Sequence, residues 1–181
     1  MTRSTGREAG QDGGREPGRA GGRRRAKLGG MRVTALVDYA VRSALELAGA
    51  HPATLTADAI AERQKLPLAY TKKIMVKMRL AGLVAAQRGG EGGYRLARSP
   101  DAISVADIIR AVEGPLADVR GEPPETLDYP GEAQVLQTLW IATRASLRTV
   151  LETVTVADLA SGALPDLVGE LTATDGAWHR R

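Results

Sequence analysis

From Leu36 onward, apolar residues recur every three or four positions in short successive segments, and this spacing strongly constrains the fold. Such spacing is typical of amphipathic α-helices, and it predicts a first helix over about residues 33–49. The residues on its apolar side are Leu36, Tyr39, Ala40, Ser43, Ala44 and Leu47. Aromatic residues make up 3% of the chain and Phe is absent. A core must therefore rest on Leu, Val, Ile, Ala and Met, a composition that favours helices.

Two further helices follow, separated by a short turn. Thr56 is a good N-cap for the second helix, and Pro67 suits the first turn of a third helix over residues 67–82. The apolar stripe predicted for this third helix consists of Tyr70, Ile74, Met78 and Ala81. Two helices joined by a tight turn predict a helix-turn-helix, whose second helix enters the major groove of DNA.

Residues 83–98 form two strand-length runs around the glycine-rich centre 89–93. This pattern predicts a β-hairpin, which we call the wing. A nucleotide-binding loop is disfavoured, because no Walker lysine follows the glycines and no strand–loop–helix order surrounds them. A short helix capped by Ser104 is predicted over residues 104–114.

The C-terminal part is predicted to hold a loop over 115–131, a long helix over about 132–153, a short capped helix reaching residue 164, and a tail over 165–181. Apolar residues on the long helix repeat with an a/d-like spacing, and we call this stripe the seam: Leu136, Trp140, Thr143, Leu147, Val150 and Val154. The seam favours a dimer interface formed by Leu136, Trp140, Leu147 and Val150. Packing of this helix on its own domain is the alternative.

Charge is distributed unevenly along the chain. Residues 1–30 carry a net charge of +5, residues 31–100 carry +6 and residues 101–181 carry −7. A basic front and an acidic back suggest that the front binds a polyanion. The Gly- and Arg-rich segment 1–30 is expected to be disordered and to add non-specific affinity for phosphate. The alternative is that translation starts at Met31.

The candidate DNA-binding residues lie on the third helix and on the wing. Those on the predicted exposed side of the helix are Thr71, Lys72, Lys73, Lys77 and Arg79. Those on the wing are Arg88, Gly92, Gly93 and Arg95, where the glycines allow close approach to the sugar–phosphate backbone. A lysine-rich face that is merely solvated is the alternative for the helix.

The residue inventory excludes several kinds of chemistry. The chain has no cysteine, which excludes disulfides, cysteine nucleophiles and thiolate-bound clusters. Its two histidines, His51 and His179, are expected to be solvated surface residues rather than metal ligands. We find no nucleophile, base and orienting residue in a catalytic pattern, so an enzyme is not expected. No apolar run approaches the about 18 residues that span a bilayer, so a cytoplasmic protein without membrane contact is expected.

The segment from Met31 to about Gly162 resembles the bacterial regulators typified by IscR, NsrR and CymR. The matching pieces are 31–34, 39–40, 60–64, Tyr70, 79–84, 88–89, 92–97 and 108–116. The resemblance implies a dimer whose recognition helices and wings bind a palindromic operator. Cluster-bearing members have three cysteines in the loop that corresponds to residues 118–129, where this chain has none. Pro67, Ala69 and Lys72 also depart from residues common in the family, so operator sequences cannot be transferred.

These observations predict a mainly α fold with a small β-hairpin. A winged helix-turn-helix domain (31–114) is followed by a long C-terminal dimerisation helix. The predicted function is a sequence-specific transcriptional regulator, a homodimeric repressor that binds double-stranded DNA without an iron–sulfur cluster or other cofactor. The alternative is a protein-interaction regulator that signals through a partner enzyme bound at residues 115–154. An effector, either a protein or a small molecule, is left open.

Overall fold

The computed structural model describes residues 33–89 and 92–179. These residues form a mainly helical fold with one two-stranded antiparallel hairpin, as the sequence predicted. The elements are α1 (Ala35–Ala50), α2 (Ala57–Gln64), α3 (Leu68–Leu80), β1 (Val84–Gln87), β2 (Gly93–Leu96), α4 (Val105–Glu113), α5 (Val135–Thr153), α6 (Val156–Ser161) and α7 (Asp166–Thr172). The predicted disordered segment 1–30 lies outside the described residues.

Helices α2 and α3 form the expected helix-turn-helix. The hydroxyl of Thr56 accepts a hydrogen bond from the N–H of Ala59 at 3.1 Å and so caps α2, which satisfies one of the free donors at its start. Lys65 ends α2 in the left-handed conformation, with φ of 52°. Only Leu66 and Pro67 then separate it from α3, and this short turn packs α3 against α2.

The core lies where α1, α3, α4 and the hairpin meet. Its largest fully buried side chains include Leu47 from α1, Ile74 from α3, Leu96 from β2 and Ile108 from α4. These residues belong to one connected apolar cluster, so the elements that carry the candidate DNA-binding residues share a single core.

The buried side of α3 differs from the predicted stripe. The buried residues are Thr71, Ile74, Met75 and Met78, whereas Tyr70 is 50% exposed and Ala81 lies beyond the end of the helix. Tyr70 packs edge to face on Tyr39, with ring centroids 6.1 Å apart. The prediction was wrong because apolar residues lie on both sides of α3, and their spacing alone did not fix its rotation.

The chain returns to the core after α5. The N–H of Val105 donates to the carbonyl of Val154, and the N–H of Val156 donates to the carbonyl of Ile103, both at 2.9 Å. Val156 is fully buried in the central cluster, and α6 packs against α1. The core of the winged domain thus includes residues well beyond position 114.

Helix α7 occupies part of the segment that was predicted to be a tail. Pro165 precedes the helix and Asp166 lies in its first turn, which are both signals for a helix start. The sequence prediction missed this helix because only one short turn of apolar residues follows them. None of the helices in the described parts of the chain is long and apolar enough to cross a membrane.

Candidate nucleic-acid interface

The exposed side of α3 carries three of the five α3 residues that were predicted to contact DNA. Lys72, Lys73 and Arg79 are exposed. The Nζ of Lys72 lies 3.9 Å from a carboxylate oxygen of Asp58, and both side chains are more than half exposed, so this pair is weak. Lys73 forms no ion pair within residues 33–89 and 92–179. These cations are therefore free to bind an anionic ligand.

Two predicted contact residues on α3 do not belong to this exposed side. Thr71 is fully buried, and its hydroxyl donates to the carbonyl of Pro67 at 3.4 Å. Lys77 is half-buried, and its Nζ donates to the carbonyl of Val112 at 2.6 Å, near the C-terminus of α4. A cation there satisfies a free carbonyl of the last turn. The spacing of Thr71 from Met75 and Met78 is the signal that would have placed Thr71 inside.

On the wing, the structure leaves the predicted arginines accessible. Arg88 and Arg95 are exposed, and neither forms an ion pair within the described part of the chain. Arg98, farther from the tip, lies 3.6 Å from a carboxylate oxygen of Asp107 on α4. Among the residues that the structure describes, no carboxylate pairs with the other two cations of the wing, Arg88 and Arg95.

Gly92 and Gly93 are required by the fold of the wing itself. A Cβ on Gly92 would lie 2.7 Å from the carbonyl oxygen of Gly89, and one on Gly93 would lie 2.7 Å from that of Leu55. The second contact arises because Leu55 pairs with Tyr94, with N–H···O distances of 2.9 and 2.7 Å. Gly93 thus allows the wing to pair with the α1–α2 connection, and Gly92 allows a close approach to Gly89 within the hairpin, whether or not they also touch DNA.

A polar network that the sequence did not reveal supports the start of α3. The guanidinium of Arg42 lies 5.8 Å from the ring centroid of Tyr39, and its Nε donates to the side chain of Gln64 at 3.0 Å. Tyr39 in turn supports Tyr70 in the first turn of α3. Helix α1 therefore holds both the end of α2 and the start of α3, which fixes the direction of the exposed lysines.

The loop over residues 115–131 is folded against α5. Its carboxylate Glu125 binds Arg144 at 2.6 Å, and the side-chain amide of Gln137 donates to the carbonyl of Leu127 at 2.9 Å. The pKa of Glu125 is lowered by a hydrogen bond from its own backbone and then by the hydrogen bond from Arg144. Pro124 and Leu127 are buried, so the loop has a defined conformation.

The seam forms the more covered side of α5. Leu136, Trp140, Leu147 and Val150 are all half-buried, and this side faces α4 and the loop. None of the residues in α5 is fully buried, and on other sides Val135 is 70% and Leu139 52% exposed. The chain therefore covers the seam only in part. The assignment of these four residues to a dimer interface stays a prediction.

Comparison with known proteins identifies the family. Residues 33–162 match the family described as Rrf2, an iron-dependent transcriptional regulator. Rv1287 of Mycobacterium tuberculosis, named as an HTH-type transcriptional regulator, is 44% identical over 140 residues, which cover 77% of this chain and 87% of that protein. CymR of Bacillus subtilis is 38% identical over 126 residues, which cover 68% and 85% of the two chains.

The residues of this chain do not fit the iron that the family description implies. Iron–sulfur clusters are held by thiolates, and the chain has no cysteine. Within the described residues, no three His, Asp or Glu side chains are grouped so that they could hold a metal ion. His51 and His179 are both exposed and far apart in the sequence, and the loop carboxylate of Glu125 is engaged by Arg144.

Solved structures show the same architecture. The structure of CymR, the global cysteine regulator of B. subtilis, is similar with a TM-score of 0.62 and 33% identity, covering 74% of this chain and 98% of CymR. The IscR of T. potens is similar with a TM-score of 0.59 and 34% identity, covering 74% and 89% of the two chains. Together with the exposed cations of α3 and the wing, these likenesses show that the chain belongs to the Rrf2 family of winged-helix, DNA-binding transcriptional regulators.

Proposed function

We propose that this protein is a sequence-specific repressor that binds a palindromic operator as a homodimer and holds no iron–sulfur cluster. The observation that carries the proposal is the exposed N-terminal half of α3, which displays Lys72 and Lys73 on the second helix of a helix-turn-helix. This is the part of such a helix that reaches base edges in the major groove. Repression needs only that the bound protein occupy the promoter.

The two groups of cations have different roles in this proposal. Lysine can donate hydrogen bonds to O6 and N7 of guanine, so Lys72 and Lys73 read bases. Arg88 and Arg95 on the wing bind phosphate or enter the minor groove, where negative potential is concentrated. Arg79, near the C-terminal end of α3, binds phosphate. Thr71 and Lys77 are excluded from this set because both are engaged inside the protein.

The proposed dimer uses α5. This helix has 19 residues, about 28 Å, and lacks a fully buried side chain. A second copy of α5 would cover the parts of Trp140 and Leu147 that the chain leaves open. In such a dimer the two α3 helices contact half-sites about one helical turn of DNA apart, and the symmetry of the protein requires a palindrome.

We propose that the protein works without a cluster because it lacks the thiolate ligands that would hold one. The loop 115–131 contains no sulfur ligand for a cluster, and the Glu125–Arg144 pair and the Gln137 hydrogen bond hold it against α5. Purified protein should accordingly be colourless and bind DNA without iron. Stoichiometric iron with a visible charge-transfer band would contradict this part of the proposal.

DNA binding is tested on a duplex selected by the protein from a random library and on a scrambled duplex, each over a series of salt concentrations. Lys72→Ala or Lys73→Ala should weaken specific binding by about 1–3 kcal/mol and relax the preference at one position in each half-site. Arg88→Ala should weaken binding to both duplexes alike and lower the salt slope by about one per phosphate contact. Arg148→Ala, which removes an exposed cation from α5, is the control.

The lysine variants decide the outcome. If Lys72→Ala and Lys73→Ala both keep the affinity and the preference of the wild-type protein, α3 is not the recognition helix and the proposal fails. If Arg148→Ala lowers the affinity as much as they do, the effect reflects the net charge of the protein rather than the position of the lysines.

A further inference from the structure

The outward side of α3 contains an apolar strip between its cations. Successive residues of a helix are rotated by about 100°, so the direction opposite the buried side passes through Ala69, Lys73, Val76 and, at the end of the helix, Leu80. Ala69 is exposed, and Val76 is 44% exposed. Lys72 and Lys73 lie beside them. An anionic ligand bound by these lysines would therefore also meet two small apolar side chains.

The charge around the strip indicates which ligand covers it. A protein partner with an apolar groove would have to accept the adjacent cations, whereas DNA supplies phosphates on both walls of the groove. The floor of the major groove is polar except for the C5-methyl group of thymine. Ala69 and Val76 are separated by about 10.5 Å along the helix axis, which corresponds to about three base-pair steps.

We propose that Ala69 and Val76 contact the C5-methyl groups of thymines in each half-site. Sequence recognition then combines these apolar contacts with the hydrogen bonds that the lysines donate to bases. The inference rests on the proposed function, because it requires α3 to lie in the major groove. Part of the sequence specificity then comes from two side chains that carry no charge and no hydrogen-bonding group.

The test replaces thymine by deoxyuridine, which removes only the methyl group. The starting probe is the duplex that the full-length protein selects from a random library. Uracil is then introduced at one thymine of each half-site at a time. Burial of one methyl group corresponds to about a fourfold change in affinity, so a contacted symmetric pair should weaken binding about sixteenfold. Uracil at thymines that flank the footprint should have no effect.

Protein variants identify the reader at each sensitive position. Val76→Ser removes both methyl groups of the side chain and puts one hydroxyl in their place. This variant should lose the thymine-over-uracil preference at one position of the half-site and keep it at the others. Ala69→Ser should do the same about three base pairs away. Leu80→Ala is the matched control, because Leu80 is 77% exposed but is the last residue of α3.

The outcomes separate this inference from the function on which it rests. If uracil has no effect anywhere while Lys73→Ala still relaxes the preference, the methyl-reading inference is overturned and the regulator proposal stands. If Val76→Ser and Ala69→Ser both keep every thymine-over-uracil preference, these residues are not the readers. If the protein selects no preferred duplex at all, the proposed function fails and the inference fails with it.

Discussion

The winged body and α5 differ in how far their apolar side chains are buried. We define the body as α1–α4, the hairpin and α6; its side chains such as Leu47, Ile74 and Ile108 have no exposed surface. Helix α5 is longer than any element of the body, yet none of its side chains is fully buried. In proteins, most of the stability of a helix comes from packing of its apolar side rather than from helix propensity. One chain therefore completes the core of the body but covers the apolar side of α5 only in part.

The largest expected effect concerns α5, whose apolar side is only partly covered. Trp140→Asp or Leu147→Asp should convert a dimer to monomers, because an uncompensated buried charge costs about 3–5 kcal/mol and each occurs twice in a symmetric dimer. Analytical ultracentrifugation over a range of concentrations measures the change. Ala145→Asp, on an exposed side of the same helix, is the control and should remain dimeric. Two seam variants that still sediment as dimers would show that the seam packs only on its own chain.

The difference in packing between the body and α5 is tested by truncating one apolar side chain in each. Ile108→Ala should lower the free energy of unfolding by about 2–5 kcal/mol, since it opens a cavity in the body. Leu139→Ala, at a side chain that is 52% exposed on α5, should change it by about 0.5 kcal/mol or less. Urea denaturation measures both values at one protein concentration. Equal losses would mean that α5 is as well packed as the body.

Two glycines of the body should respond in opposite directions to substitution by alanine. Gly93→Ala should destabilise the protein by about 1–3 kcal/mol, because its Cβ would press on the backbone of Leu55. Gly49→Ala, in α1, meets nothing within 4 Å and should stabilise it by up to about 1 kcal/mol. Thermal denaturation gives both signs. A neutral Gly93→Ala would show that the hairpin does not depend on its bridge to Leu55.

The smallest effect concerns the cap of α6, where the chain re-enters the body. The pKa of Asp158 is lowered from 3.8 by hydrogen bonds from the backbone and then the hydroxyl of Thr155. Its stabilisation is therefore present above pH 3.8 and is lost as the pH falls through the lower pKa of the folded state. Asp158→Asn should be less stable than wild type at pH 6, and the difference should shrink below pH 3.8. A difference that does not change with pH would contradict this.

Local signals predicted much of the fold. The caps Thr56 and Ser104 lie at the starts of their helices, and each hydroxyl accepts the expected backbone hydrogen bond. The helix-turn-helix and the hairpin were predicted because turn residues, strand lengths and helical spacing are encoded within a few neighbouring positions.

Features that depend on distant contacts were missed. Lys77 was assigned to the exposed side, but its partner, the carbonyl of Val112, lies 35 residues away in the sequence. Leu55 pairs with Tyr94 across a similar separation. The predicted buried side of α3 was also rotated relative to the observed one, because Val76 and Leu80 make the outer side nearly as apolar as the inner side. Spacing gives the period of a helix, but only the neighbouring elements decide which side they cover.

The hydrogen bonds that join Val105 to Val154 and Val156 to Ile103 bear on the order in which the protein is made. A ribosome produces α1–α4 and then all of α5 before it produces Val156, the residue that fills the last place in the core. Domains generally fold as units during synthesis, so this one stays unfinished until its C-terminal third has emerged. A shortened gene product that stops within α5 would therefore lose part of the DNA-binding fold itself, and would not be a monomeric version of the intact regulator.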